Sequence, residues 1–253
     1  MDREKRILMA KDTVNCVNKG SYPFSRLKTI ELTNPKVPKL IIDMAIKEKI
    51  NQSKWFSVNE NIVNEGVTDF IEDYNKENPT KSIIALNFAS AKNPGGGFLN
   101  GALAQEECIA SVSTLYNSLI QCNEFYEYHR KNINPLYSHR IIYSPDIQIF
   151  KSISNGKYLE TPINCGIITS PAVNAKVAKS RGVSNNEIQA MMTERIYKII
   201  SVILENKPDC AVLGAFGCGV FGNDRTFVLN SFEKAINEII PEHSIDIKFA
   251  IIK

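Results

Sequence analysis

Twice along this chain of 253 residues, a short apolar run leads into a glycine-rich loop that is followed by a helical pattern. The first run, residues 82–88, is typical of a buried strand, and Gly95, Gly96 and Gly97 lie in the loop after it. The second run begins at Ala211 and leads into a loop with four glycines between residues 214 and 222. Repeated units of strand, loop and helix with apolar strands predict an α/β sandwich, with helices on both faces of the sheet.

Other patterns extend this prediction to the rest of the chain. Helices are predicted at residues 4–18, 67–74, 104–121, 123–130, 186–206 and 224–240, and further strands at 140–143, 147–150, 163–169 and 246–252. Residues 40–50 also have a helical pattern, within an otherwise ambiguous stretch. No linker or change of composition divides the chain. We therefore expect a single domain over residues 1–253, with 1–80 as an accessory N-terminal layer and 81–253 as a core that contains both glycine loops.

The composition excludes several classes of protein. A hydrophobic content of 43% and a net charge of +3 are those of an ordinary globular protein, and no dense basic run indicates a nucleic-acid surface. No apolar run is long enough to span a membrane, and the charged amino terminus is unlike a secretory signal. The six cysteines and three histidines are scattered. We expect a cytoplasmic protein with no metal site, no cofactor, no membrane association and no direct nucleic-acid binding.

The first glycine loop leads to an acidic pair. Without a Cβ atom, glycine can adopt positive φ and lie directly against a ligand. Glu106 and Glu107 follow at the start of a helix, which suits a glycosidic or phosphate-ester site. Neighbouring helical side chains point about 100° apart, so the pair cannot easily flank one bond as opposed carboxylates do. We expect one to be the acid and the other an orienting group. Ser90 and Asn93 are polar candidates that could contact a ribose or only stabilise a turn.

The second glycine loop suits a pyrophosphate. Its backbone N–H groups and the following helix N-terminus favour an anion. Gly217, Gly219 and Gly222 match a G-x-G-x-x-G pattern, but the pattern follows the penultimate strand and not the first. This position argues against a nicotinamide-dependent dehydrogenase. Both loops leave the carboxyl ends of strands, so we expect them to face one crevice. Phe221 is predicted to stack on the ligand or to position a ribose.

With these two loops in this order, the chain resembles the bacterial-type poly(ADP-ribose) glycohydrolases of the macrodomain superfamily over most of its length. The matching pieces are residues 86–90, 94–107, 143–146, 169–172 and 214–224. The resemblance implies a macrodomain-like three-layer α/β/α sandwich with a mixed sheet and an N-terminal helical extension. It implies Glu107 as the catalytic acid, Glu106 on a ribose hydroxyl and Phe221 against the distal ribose. The substrate-binding residues would be Ser90, Asn93, Gly95, Gly96, Gly97, Gln105, Gly214, Gly217, Cys218, Gly219, Val220, Phe221, Gly222 and Asn223.

The predicted function is hydrolysis of ribose–ribose O-glycosidic bonds in poly(ADP-ribose), with the polymer or ADP-ribosylated proteins as partners and ADP-ribose as product. Glu107 is expected to hold its proton mainly in the complex, because the substrate covers it and the diphosphate is negative. Two alternatives share the same pocket. One is removal of a single ADP-ribose from a protein side chain, and the other is a non-catalytic ADP-ribose-binding module. The intact pair of Glu106 and Glu107 counts against the module, because binding alone needs no acid.

Overall fold

The computed structural model describes residues 1–33 and 36–252. The helices are α1 (Arg3–Lys19), α2 (Val67–Glu77), α3 (Gln105–Val112), α4 (Leu115–Leu119), α5 (Asn123–Lys131), α6 (Ala175–Ser180), α7 (Asn185–Asn206) and α8 (Arg225–Ile239), with 3₁₀ turns at Asn59–Asn61 and Phe98–Asn100. The strands are β1 (Ser21–Pro23), β2 (Thr29–Glu31), β3 (Lys39–Ile41), β4 (Ile62–Val63), β5 (Ile83–Phe88), β6 (Ile141–Lys151), β7 (Tyr158–Ser170), β8 (Cys210–Leu213) and β9 (Asp246–Ala250).

One mixed sheet organises the chain, with the strand order β3-β6-β7-β5-β8-β9-β4. Strands β7, β5, β8, β9 and β4 run parallel, whereas β6 is antiparallel to its neighbours β7 and β3. Strands β1 and β2 form a separate hairpin. The carboxyl ends of β5, β7 and β8 therefore lie at the same edge, and the loops that follow these strands meet there.

Helices cover both faces of this sheet. The alternation along β5 shows the arrangement: Ile84 and Leu86 belong to a core shared with α7 and α8, while Ile83 and Ala85 pack with α2 and α3 on the opposite face. Helix α1 lies outside that second face, where Ala10 packs on Phe98 and Ala110. The predicted three-layer α/β/α sandwich with a mixed sheet and an N-terminal helix is confirmed. None of the helices in the described part of the chain is both long and apolar enough to cross a bilayer.

The first 80 residues also contribute to the sheet, because β3 and β4 form its two edge strands. The division into an accessory layer and a core stays a prediction. The helix predicted at residues 40–50 is wrong: after β3 this segment is irregular. Its backbone instead bonds to the neighbouring helices, with the Lys47 N–H donating to Ser201 Oγ and the Ile50 N–H to the Glu238 carbonyl. These contacts replace the hydrogen bonds within a helix.

The helix predicted at residues 104–121 is interrupted. Ser113 has an extended backbone and forms an isolated antiparallel bridge with Ile149 of β6. Next to it, the Thr114 N–H donates to the Gln148 carbonyl, and Thr114 Oγ1 accepts from the Gln148 N–H. Ser113 and Thr114 therefore bond to β6 and not within a continuous helix. The interruption leaves α3 as a short helix whose first turn carries Gln105, Glu106 and Glu107.

Candidate active site

The first glycine loop turns sharply after β5. Gly95 and Gly96 have φ of 69° and 61°, in the left-handed region that other residues avoid. Phe98 anchors the loop, since its ring is buried against α1 and α3. The Gly97 N–H donates to Glu107 Oε1 at 2.9 Å, and a Cβ at position 96 would lie 2.2 Å from the same oxygen. The absence of side chains in this loop therefore allows the backbone to hold the Glu107 carboxyl group directly.

The two glutamates of α3 occupy different environments. Glu106 is only 3% exposed, and its Oε2 accepts the Ser90 N–H at 2.7 Å. Its Oε1 accepts from Asn87 Nδ2 at 3.2 Å. Glu107 is partly exposed and, like Glu106, lines the cavity between the glycine loops. The different positions agree with the angle of about 100° between successive helical side chains.

Gln105 fixes the start of α3 to the end of β5. Its Oε1 accepts the Phe88 N–H at 2.8 Å, and its Nε2 donates to the Leu86 carbonyl at 2.6 Å. The amide thus bonds to one strand as a neighbouring strand would. Gln105 lines the cavity, but both ends of its amide are bonded to the backbone of β5. These two hydrogen bonds fix the position of Glu106 and Glu107 relative to the edge of the sheet.

Burial raises the pKa of the Glu106 carboxyl group to about 8. The nearby charge of Glu107 acts in the same direction, while the hydrogen bonds from Ser90 and Asn87 oppose it. Glu106 therefore holds its proton near neutral pH in the free protein. From the sequence we expect Glu107 to hold its proton mainly in the complex with substrate. In the fold, Glu106 is the more deeply buried of the two glutamates.

This shift predicts a pH-dependent stability. Because the folded pKa of about 8 exceeds the ordinary value of 4.5, the folded chain binds more protons than the unfolded chain between these values. The contribution of Glu106 to stability is fully present below pH 4.5 and is lost as the pH rises to about 8. We expect the free energy of unfolding, measured in urea at about pH 5 and about pH 8, to fall less in Glu106→Gln than in the wild type. Equal decreases in the two proteins would contradict this explanation.

The second glycine loop closes the other side of the cavity. Gly217 has φ of 72°, and a Cβ there would lie 2.4 Å from the Ala172 Cβ. Asn223 Nδ2 donates to the Val173 carbonyl at 2.7 Å and to the Gly217 carbonyl at 2.9 Å. The loop is therefore tied to the segment after β7 and to itself. Helix α8 begins directly afterwards, with Asp224 Oδ1 accepting the Phe227 N–H.

The two loops enclose a cavity of about 510 Å³ at the carboxyl ends of the parallel strands. This arrangement agrees with the expectation that both loops face one crevice. Predicted site residues that line the cavity are Ser90, Asn93, Gln105, Glu106, Glu107, Gly217, Gly219, Val220 and Phe221. Other predicted residues lie in the loops without lining it: Gly95, Gly96, Gly97, Gly214, Cys218, Gly222 and Asn223. The remaining lining residues are not among the predicted site residues: Phe88, Ala89, Ala91, Lys92, Ala104, Tyr137, Ala172 and Ala215.

Tyr137 is the main residue that sequence reasoning missed. Its ring centroid lies 6.1 Å from that of Phe221, on the cavity wall. Its φ of 54° is unusual for a residue other than glycine. Arg195, fully buried in α7, bonds to the residue before Tyr137 and to the segment after β7. Its Nη2 donates to the Leu136 carbonyl at 2.9 Å, and its Nη1 donates to the Pro171 carbonyl at 2.8 Å. No glycine or periodic pattern marks this turn in the sequence.

The structure gives little support to a cysteine nucleophile, a histidine acid or base, or a metal ion in this site. Burial raises the pKa of the Cys218 thiol to about 11, so the thiol is protonated at neutral pH. Burial lowers the pKa of His129 and of His139 to about 4. Within residues 1–33 and 36–252, no group of three or more His, Cys, Asp or Glu side chains is arranged to hold a metal ion. The carboxyl groups on α3 are thus the site's main candidates for proton transfer.

Fold and cavity together define an α/β/α enzyme domain with an acidic pair opposite a glycine-rich loop. The family described as "Microbial-type PARG, catalytic domain" matches residues 10–152. The chain belongs to this family of microbial-type poly(ADP-ribose) glycohydrolases. Membership defines it as a glycosidase that hydrolyses poly(ADP-ribose).

Solved structures agree with this family. The poly(ADP-ribose) glycohydrolase of Thermomonospora curvata, bound to the inhibitor ADP-HPD, is 27% identical with a TM-score of 0.83, and the match covers 98% of this chain and 94% of that one. The poly(ADP-ribose) glycohydrolase of Deinococcus radiodurans, in complex with ADP-ribose, is 35% identical with a TM-score of 0.67 over 76% of this chain and 77% of that one. No curated protein matches the chain.

Proposed function

We propose that the chain cleaves the ribose–ribose O-glycosidic bond of poly(ADP-ribose) and releases ADP-ribose, with Glu107 as the catalytic acid. One observation carries this proposal: Glu107 lines a cavity of about 510 Å³ whose opposite wall is the second glycine loop. The size lies in the ordinary range for small-molecule sites. The Deinococcus structure, which holds ADP-ribose, supports the same ligand for this chain. Polymer chains on ADP-ribosylated proteins are the corresponding partners.

The second loop would bind the diphosphate of the terminal ADP-ribose unit. Gly217, Gly219 and Val220 line the cavity, and an exposed backbone N–H is the group that a phosphate oxygen accepts from. Asn223 keeps the loop in position through its bonds to Val173 and Gly217.

The distal ribose would then lie between Phe221 and the acidic pair. Glu106 is suited to hold a ribose hydroxyl, since its carboxyl group is fixed by Ser90 and Asn87 and retains unused lone pairs. Glu107 donates its proton to the leaving 2′ oxygen as the bond from that oxygen to the ribose C1″ breaks. A water molecule then adds its oxygen to C1″. One of its protons stays on the new hydroxyl group, and the other returns to the Glu107 carboxylate. The step consumes one water and leaves the enzyme unchanged.

Removal of the Phe221 ring is expected to weaken ADP-ribose binding. Loss of a partly buried aromatic contact of this kind costs about 0.5–1.5 kcal/mol, or a rise in Kd of roughly two- to tenfold. The measurement is calorimetric titration of Phe221→Ala with ADP-ribose. Phe24→Ala is the matched control, since Phe24 is partly buried in the β1–β2 hairpin and does not line the cavity. An unchanged Kd in Phe221→Ala would show that the ring only packs against Tyr137.

The proposed function is tested by incubating the protein with auto-modified poly(ADP-ribose) and separating the products by chromatography. Free ADP-ribose as the product would support the proposal. Binding of ADP-ribose without release would instead indicate a binding module. Release only from singly modified proteins would indicate a mono-ADP-ribosyl hydrolase, which could use the same cavity.

A further inference from the structure

A second cavity adjoins the first beyond Tyr137. It measures about 180 Å³ and shares two lining residues, Lys92 and Tyr137, with the main cavity. Its other walls come from the turn before β6 and from α6 with the residues that flank this helix: Ile133, Asn134, Pro135, Asn174, Val177 and Arg181. Two side chains thus form walls of both cavities, which places the second cavity directly beside the first.

The second cavity has a positive charge with no acidic counterpart. Lys92 and Arg181 line it, and none of its lining residues is acidic. Arg130 lies beside them, with its Nε donating to the Lys92 carbonyl at 2.9 Å. Within the described residues, these three cations form no ion pair with a carboxylate. Their charges are therefore available to an anion from solution.

The walls of this cavity are also held in place. The Asn174 N–H donates to the Pro135 carbonyl at 2.8 Å, and Arg181 Nη1 donates to the Ile133 carbonyl at 3.1 Å. Buried Arg195 bonds to the carbonyl of Leu136 in the same turn. The Ile133 side chain remains 70% exposed, which leaves an apolar surface next to the cations. The combination suits a ligand with an anionic part and a flat apolar part.

Another small cavity, on the α1 side of Glu107, lacks this combination. It measures about 160 Å³ and is lined mainly by apolar or small side chains such as Met9 and Leu103. Its cation, Arg6, already donates to the carbonyls of Gly101 and Met1. Its lining also includes the carboxyl group of Glu107, whereas no acidic residue lines the cavity beyond Tyr137. The cavity beyond Tyr137 is the better match for an anionic extension of the substrate.

We propose that the cavity lined by Lys92 and Arg181 binds the second ADP-ribose unit of the polymer, the one that leaves when the terminal unit is released. This inference rests on the proposed function. The leaving unit carries an adenosine, whose 2′ oxygen accepts the proton, and a diphosphate on its 5′ carbon. The diphosphate would pair with Lys92 and Arg181, while the nucleoside contacts Ile133. The site thus recognises a chain of at least two units.

The test compares two substrates that differ only in the leaving group. One is a poly(ADP-ribose) chain, and the other is ADP-ribose joined through its distal ribose to the 2′ oxygen of adenosine, which lacks the second diphosphate. In Arg181→Gln, we expect KM for the polymer to rise about three- to tenfold, as for loss of one exposed arginine–phosphate pair. KM for the adenosine substrate and the affinity for free ADP-ribose should equal those of the wild type.

Two further variants make the result specific. Arg181→Lys keeps the charge and should restore most of the polymer KM, while Arg26→Gln removes an exposed arginine from the β1–β2 turn and should change neither KM. An unchanged polymer KM in Arg181→Gln would overturn the inference, as would an equal rise for both substrates. If the wild type cleaves neither substrate, the proposed function itself fails, and this inference fails with it.

Discussion

Glu107→Gln is expected to lower kcat for poly(ADP-ribose) by about two to four orders of magnitude, the usual contribution of a general acid. Glutamine has no proton of comparable acidity to give to the leaving oxygen. Its carbonyl oxygen can still accept the Gly97 N–H, so the glycine loop should keep its conformation. The affinity for ADP-ribose should therefore remain close to that of the wild type. Single-turnover rates and calorimetric titration measure the two effects separately.

Glu124→Gln is the matched control for this experiment, because Glu124 is exposed at the start of α5 and does not line the cavity. Its kcat should equal that of the wild type. A Glu107→Gln variant that retains full activity would remove Glu107 from the proton transfer. A variant that loses activity and ADP-ribose binding together would give Glu107 a role in binding instead.

Gly96→Ala is expected to reduce kcat by at least about a hundredfold, the effect of displacing a catalytic group by roughly 1 Å. The new Cβ would lie 2.2 Å from Glu107 Oε1 and 3.1 Å from Glu106 Oε2, so the Glu107 carboxyl group must move. The backbone φ of 61° adds a strain of about 1–2 kcal/mol for a residue with a side chain. Steady-state kinetics together with circular dichroism would measure the change in activity and verify the fold.

Gly20→Ala is the control that introduces backbone strain without a contact between the new Cβ and a neighbouring side chain. Gly20 ends α1 with φ of 71°, and a Cβ there would have no heavy atom within 4 Å. This variant should lose stability while kcat stays unchanged. Similar decreases of kcat in both variants would mean that Gly96 acts through general stability, and not through the position of Glu107.

The sequence allowed prediction of those parts of the fold and site that depend on local patterns. Apolar runs before the two glycine loops placed both loops at strand ends, and the order of the elements indicated one crevice. The inclusion of Gln105 among the predicted site residues followed from the family resemblance. The two hydrogen bonds that join its amide to β5 did not, because they depend on how α3 packs against the strand.

The contributions that the sequence did not reveal arise from contacts between distant segments. Tyr137 lines the cavity because Arg195, from a helix much further along the chain, holds the carbonyl of its neighbour Leu136. The buried carboxyl group of Glu106 is held by the Ser90 N–H and by Asn87, which lie beside it only because α3 packs against the end of β5. Residues 40–50 have a helical pattern, but their backbone groups bond to α7 and α8.

The role of Glu107 as the acid is tested most directly by the structure of Glu107→Gln with a poly(ADP-ribose) fragment of two units, because the bond should survive in this variant. We expect the glycosidic oxygen to lie within hydrogen-bond distance of the side-chain amide at position 107, with the terminal diphosphate on the loop from Gly214 to Asn223. A glycosidic oxygen out of reach of that side chain, or a diphosphate bound elsewhere, would contradict this expectation.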